Sequence, residues 1–183
     1  MEANITSTED TINAMHPDAT EAPDATDAIV AQWNRERPDL DTRPMQVIGR
    51  LFRLTDEVDQ RLRPIFAAAD LGNGDFDVLA ALRRSGAPYT LSAGELSRTV
   101  LVTTGAITKR VDRLEARGLV ARTVAENDSR GRLITLTAEG IALTDELMAA
   151  HLDNQRRLLS GLTAQEQEQL AALLHRLSAT LTP

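Results

Sequence analysis

Thr103, Thr104, Thr108, Lys109 and Arg113 follow one another at spacings that suit the outer side of one helix, and Asp128, Arg130 and Arg132 follow in and after a turn. Short hydroxyls near a helix start can meet base edges and phosphates in a major groove, while Lys and Arg neutralise phosphates or bond guanine. How these residues divide between bases and phosphates is left open by their types. Arg130 lies at a turn tip beside Asp128, and a narrow minor groove concentrates negative potential that draws in such an arginine. Asp128 and Arg130 could equally brace the turn, and the two roles are compatible if Asp128 orients Arg130.

The elements that must present these side chains can be read locally. Ser92-Ala-Gly-Glu95 is a capping box, in which the Ser and Glu side chains satisfy each other's free backbone amides, and it opens a helix to about Thr99. Leu101 and Val102 form an apolar turn. Thr103 then caps a second helix through Arg117, with Gly118 as its left-handed stop. Within it Ile107, Val111 and Leu114 recur at steps of four and three, which predicts one buried stripe with Thr104, Thr108, Lys109, Asp112 and Arg113 facing outward. Leu119–Thr123 and Arg132–Leu136 are short β-prone runs separated by the turn formers Glu126-Asn-Asp-Ser-Arg-Gly131, so a hairpin follows. Two helices and then a hairpin describe a winged helix-turn-helix.

Around this module the chain reads as mainly helical. Residues 1–24 are polar, acidic and broken by Pro17 and Pro23, a disordered arm. Ile29, Val30 and Trp33 predict a short helix from Ala25 to about Arg37, stopped by Pro38. Pro44 opens a long helix whose Val47, Leu51, Leu54, Val58, Leu62 and Ile65 form a stripe that requires a partner. Gly72-Asn-Gly74 turns the chain into a helix over Asp75–Arg84, with Phe76, Leu79 and Leu82 inward. Thr137 caps a helix to about Ser160. A second capping box at Thr163–Glu166 opens the last helix, with an apolar seam of Leu170, Leu173, Leu174, Leu177 and Leu181. The expected organisation is an arm (1–24) and one domain (25–183), made of N-terminal helices (25–70), the winged module (71–137) and C-terminal helices (138–183).

Charge is distributed in keeping with this reading. The chain is acidic overall, at −7. Between Arg98 and Arg132, however, eight cations stand against four anions, a local basic face of the kind DNA senses. The first thirty residues hold seven acids and no Lys or Arg, so the remainder is close to neutral. There is no Cys, which removes disulfides and thiol chemistry, and the three His, at 16, 151 and 175, lack ligand-like spacing. No cofactor is expected. Nor is an enzyme: no nucleophile stands with a base, and Gly72-Asn-Gly74 is a lone glycine pair rather than a phosphate loop. With no span of about twenty apolar residues and no signal-peptide pattern, the cytoplasm is the expected compartment.

Asp128-Ser-Arg130-Gly-Arg-Leu-Ile134-Thr-Leu136-Thr137 resembles the wing signature of the MarR family of bacterial transcription regulators, D-x-R-x-x-x-[VI]-x-L-T, at every fixed position. Thr103 through Val120 is similar to that family's recognition helix and first wing strand. The weaker likeness runs from about Met45 to Leu181. It implies a homodimer, formed by N- and C-terminal helices, that binds a pseudo-palindromic operator in double-stranded DNA and more commonly represses than activates. Trp33, on a helix that the simplest members lack, together with Asp77, Arg110 and Arg122, resembles the set carried by a urate-responsive branch. In that reading a planar anion stacks on the indole and takes paired hydrogen bonds from a guanidinium. The expected switch is an Asp77–Arg122 pair in the free protein, disrupted by an anion on Arg110. Other small carboxylates or phenolic ligands fit the same set, and a winged helix used only for protein contacts is the remaining alternative.

Overall fold

The computed structural model describes residues 22–72, 74–100, 104–125 and 128–181. In order, the elements are α1 (Ala25–Glu36), α2 (Arg43–Ala68), α3 (Asp75–Arg84), β1 (Thr90–Ser92), α4 (Ala93–Thr99), α5 (Thr104–Ala116), β2 (Val120–Ala125), β3 (Asp128–Leu136), α6 (Ala138–Leu158) and α7 (Ala164–Leu181). The chain divides between Thr55 and Asp56 into two compact units, with the division falling inside α2. Residues 1–21, which hold most of the expected arm, lie outside the described residues. So do Leu101-Val-Thr103 and Glu126-Asn127, and the side chains of Thr104, Asp128 and Arg130.

In the first unit, α1 starts on a capping box built from two aspartates. The Asp24 carboxylate accepts from the backbone of Thr26 (2.7 Å) and Asp27 (3.0 Å), and Asp27 accepts from the Asp24 backbone at 2.9 Å. Arg50 of α2 reaches both carboxylates at 3.0 Å, tying the two helices together. Beneath that tie Thr26 is buried against Gly49, where an added Cβ would stand 3.0 Å from the Thr26 methyl. Val30 faces inward, whereas Ile29 and Trp33 are left half-exposed.

The second unit holds the main core. Phe76, Leu79 and Leu82 of α3, Leu96 of α4 and the Ile107, Val111, Leu114 stripe of α5 are buried together with Leu119, Val120, Ile134 and Leu136 of the wing and Leu147 of α6. Among them, Phe76, Leu79 and Leu82 and the Ile107, Val111, Leu114 stripe are the positions the helical periodicities predict. The capping boxes form at both expected sites: Glu95 N donates to Ser92 Oγ at 3.2 Å, and Glu166 N to Thr163 Oγ1 at 3.3 Å. Gly118 takes the left-handed conformation (φ 71°) that stops α5. Thr137 caps α6, accepting from Gly140 N at 3.0 Å while its own hydroxyl donates to Gly118 O at 2.7 Å.

The sheet is antiparallel in the order β1-β3-β2, with Leu91 and Arg122 both opposite Ile134. Two details differ from expectation. The wing strands extend further toward the tip than Thr123 and Arg132, with a bulge at Val124/Ala125. A third strand, β1, is added just before α4; three residues are too few for an alternating pattern to announce them, and β1 exists because β3 offers it an edge.

Candidate nucleic-acid interface and effector site

Helix α5 is fixed from below by its buried stripe, which leaves Thr108 and Lys109 exposed on the opposite side. Arg132 is exposed on β3, in the strand that leads back from the wing tip. Thr103 falls outside the described residues, and for Thr104, Asp128 and Arg130 only the backbone is described. Thr104 opens α5, and Asp128 is paired with Ala125 where the strands approach the tip.

Arg110 and Arg113 of α5, and Arg117 just past its end, behave differently from simple outward-facing cations. Arg113 forms a fork on the Asp75 carboxylate, Nη2 at 2.5 Å from Oδ1 and Nε at 3.2 Å from Oδ2. This neighbouring carboxylate raises the already high pKa of the guanidinium. Arg110 donates from Nη1 to Gly74 O at 3.2 Å, and Arg117 donates to Asp70 O (2.6 Å) and Ala69 O (2.9 Å). All three are thus turned toward the connection between α2 and α3.

Of the expected effector set, Asp77 and Arg110 are brought together, Oδ2 to Nη1 at 3.9 Å. The Arg110 side chain is 18% exposed and that of Asp77 62%, so the acid forms the solvent side of the pair. The expected Asp77–Arg122 pair is not formed. Arg122 instead bonds Glu115 (Nη1, 2.7 Å) and Asp112 (Nη2, 2.6 Å), and its backbone N–H donates to Glu115 Oε1 at 3.1 Å. The reason is topological: the tight stop at Gly118 lays β2 back along α5, so Arg122 meets the acids of the helix just completed. Trp33 belongs to the first unit, on α1, and is 46% exposed.

Arg122 also borders a cavity of about 290 Å³ between α5 and the wing. Ala93, Ile107, Val111 and Ile134 supply its apolar lining, and Thr108, Asp112, Arg122 and Arg132 its polar groups. Such a cleft, with two arginines of which one is paired with Asp112, suits a small flat anion only if it competes with that carboxylate. Among the described residues no group of His and acids could hold a metal ion, and no helix is long and apolar enough to cross a membrane.

Sequence reasoning missed Asp75, Gly72, Gly74 and Arg117. Arg110, Arg113 and Arg117 recur at steps of three and four, a cationic stripe beside the apolar one. That was the available signal that this face packs against something rather than facing solvent.

The comparisons with known proteins agree with this architecture. A model of the MarR family matches residues 69–131. The regulator PecS of Dickeya dadantii is 41% identical over 153 residues, covering 84% of this chain and 92% of that protein. Among solved structures, a cysteine-to-serine mutant of Escherichia coli MarR complexed with operator DNA is 28% identical. It covers 79% of this chain and 96% of its own, with a TM-score of 0.63. Bordetella bronchiseptica BpsR, whose DNA binding is regulated by 6-hydroxynicotinic acid, is 25% identical, covers 76% and 97%, and has a TM-score of 0.66. The chain belongs to the MarR family and is a DNA-binding transcriptional regulator with a winged helix-turn-helix.

Proposed function

We propose that the protein is a repressor that binds a pseudo-palindromic operator as a homodimer and is released by a small planar anion such as urate. The observation that carries the effector reading is the Asp77–Arg110 pair at 3.9 Å, with Arg122 held by Asp112 and Glu115. An anion with two acceptor edges competes with these carboxylates for the guanidiniums. Arg110 belongs to α5 and Arg122 bonds two acids of α5, so exchanging a carboxylate for a ligand changes what holds the recognition helix. Thr103, Thr104, Thr108, Lys109 and the wing residues Asp128, Arg130 and Arg132 remain the proposed DNA contacts.

Dimerisation is supported by apolar faces that the single chain leaves open. α2 and α7 bury none of their residues; Phe52 is 72% exposed, and Val47, Leu54, Leu173 and Leu181 are exposed as well. A second copy covering them would set two recognition helices about one DNA turn, or roughly 10 base pairs, apart.

A ligand that weakens operator binding a hundredfold is itself bound a hundredfold more weakly by the DNA complex, a coupling of about 2.7 kcal/mol. Asp77→Asn and Arg110→Ala variants titrated with urate test the assignment. Both should need far more urate for release, and release like that of the wild type overturns it. A small aromatic carboxylate is the second reading, favoured by the apolar lining of the cavity beside Arg122.

A further inference from the structure

At Gly72 and Gly74 the space a side chain would take is occupied by other side chains. A Cβ on Gly72 would stand 2.9 Å from Asp75 Oδ2 and 3.5 Å from Arg113 Nε. At Gly74 (φ 79°) it would stand 2.1 Å from Cζ of Arg110, within the guanidinium itself. The space these glycines leave open is therefore filled by arginines of α5.

Asp75 completes the arrangement. Its side chain is 3% exposed, and its carboxylate accepts from Gly72 N (2.8 Å) as well as from both arms of the Arg113 fork. A buried carboxylate is costly without full partnering, and here Arg113 is the only cation paired with it among the described residues. One turn further along, Arg117 bonds the carbonyls of Ala69 and Asp70, just past the end of α2, where helical carbonyls lack partners and Asp70 itself is left-handed (φ 55°).

We propose that residues 69–72 and 74–75 form a docking rail for the recognition helix, and that Arg113 acts on DNA affinity through Asp75 as a positioning residue rather than as a phosphate contact. The three arginines engage successive points of the connection: Arg110 on Gly74, Arg113 on Asp75 and Arg117 on Ala69 and Asp70. A slide of α5 by part of its 5.4 Å pitch, or a rotation about its axis, breaks all three attachments together. The rail thereby sets the depth and register at which Thr108 and Lys109 are presented. The proposal departs from the expectation that Arg113 contacts the DNA backbone: its side chain is 50% exposed, but its guanidinium is engaged by Asp75. It depends on the family's DNA binding and not on the identity of the effector.

The test compares Arg113→Gln, Asp75→Asn, the double variant and Gly72→Ala on an operator selected from random duplexes with the wild-type protein. Affinity is measured for operator and for unrelated DNA across a salt series. Positioning predicts that each single variant loses at least tenfold in operator affinity, that the double variant is no worse than the weaker single one, and that binding to unrelated DNA and the salt slope stay at wild-type values. A phosphate contact predicts a salt slope smaller by about one for Arg113→Gln, weaker binding to all DNA, and no loss for Asp75→Asn. A bond that serves only folding predicts a lower melting temperature with unchanged operator affinity. Either of these last two results overturns the proposal. Gly72→Ala keeps every charge, so it decides the matter if Asp75→Asn does not fold.

Discussion

Gly140 sits in the first turn of α6, where the helix crosses the junction between α5 and β2. A Cβ there would stand 2.0 Å from Leu119 O and 3.0 Å from its carbonyl carbon. Carbon and oxygen in contact require about 3.3 Å, so Gly140→Ala must open the gap by roughly 1.3 Å. No rotamer relieves the clash, because the obstacle is backbone. That carbonyl also accepts from Thr137 N at 3.1 Å, and Thr137 Oγ1 bonds Gly118 O at 2.7 Å, so withdrawing α6 strains two hydrogen bonds as well. Overpacking costs about 1–3 kcal/mol and each lost bond about 1 kcal/mol, against a helix-propensity gain for Ala of about 1 kcal/mol. The net loss is about 3 kcal/mol, which for a chain of this size lowers the melting temperature by about 6–12 °C. Calorimetry at fixed protein concentration reads this directly, the concentration being held because dimerisation contributes to apparent stability. A variant melting at or above the wild-type temperature would refute the close approach of α6 to Leu119.

Other expectations follow from the same geometry. Arg122→Ala leaves Glu115 and Asp112 without their shared cation and should reduce urate-induced release from operator by more than tenfold; an unchanged half-maximal urate concentration would contradict the effector reading. Phe52→Asp places a charge on the exposed face of α2 and should convert a dimer to monomer in sedimentation, with loss of operator binding; a variant that stays dimeric removes α2 from the interface. Glu95 is held below its usual pKa mainly by the Ser92 backbone N–H and then by its hydroxyl. A carboxyl depressed in the folded state stabilises fully above its unfolded value of about 4.3 and loses that contribution as pH falls through the folded value. The gap in melting temperature between wild type and Glu95→Ala should accordingly be constant from pH 7 to about 5 and shrink below about 4, and a gap that persists at pH 3 would contradict the capping role.

Where local rules operate alone, the fold was legible. Ser92 with Glu95, Thr163 with Glu166, and Gly118 announce helix ends through bonds or backbone angles that involve near neighbours only. The α5 stripe was equally plain, because Ile107, Val111 and Leu114 are apolar at one period. What escaped depends on contacts distant in sequence. β1 exists only through β3, and Asp75 looked like an ordinary acid in a first helical turn until Arg113, 38 residues on, was seen to partner it. The effector set shows the same limit: the resemblance to a urate-responsive branch suggested Asp77, Arg110 and Arg122, but which acid pairs with which arginine was decided by the turn at Gly118. Asp77 was matched to the wrong arginine for that reason.

The central claim is that this regulator binds its operator and lets go when an anion takes its arginines. Gel-shift titration on the intergenic DNA upstream of its own gene, with millimolar urate and with citrate as comparator, tests it most directly. The account predicts a specific complex that urate releases in the wild type and fails to release in Arg110→Ala; a specific complex indifferent to urate in both would contradict it.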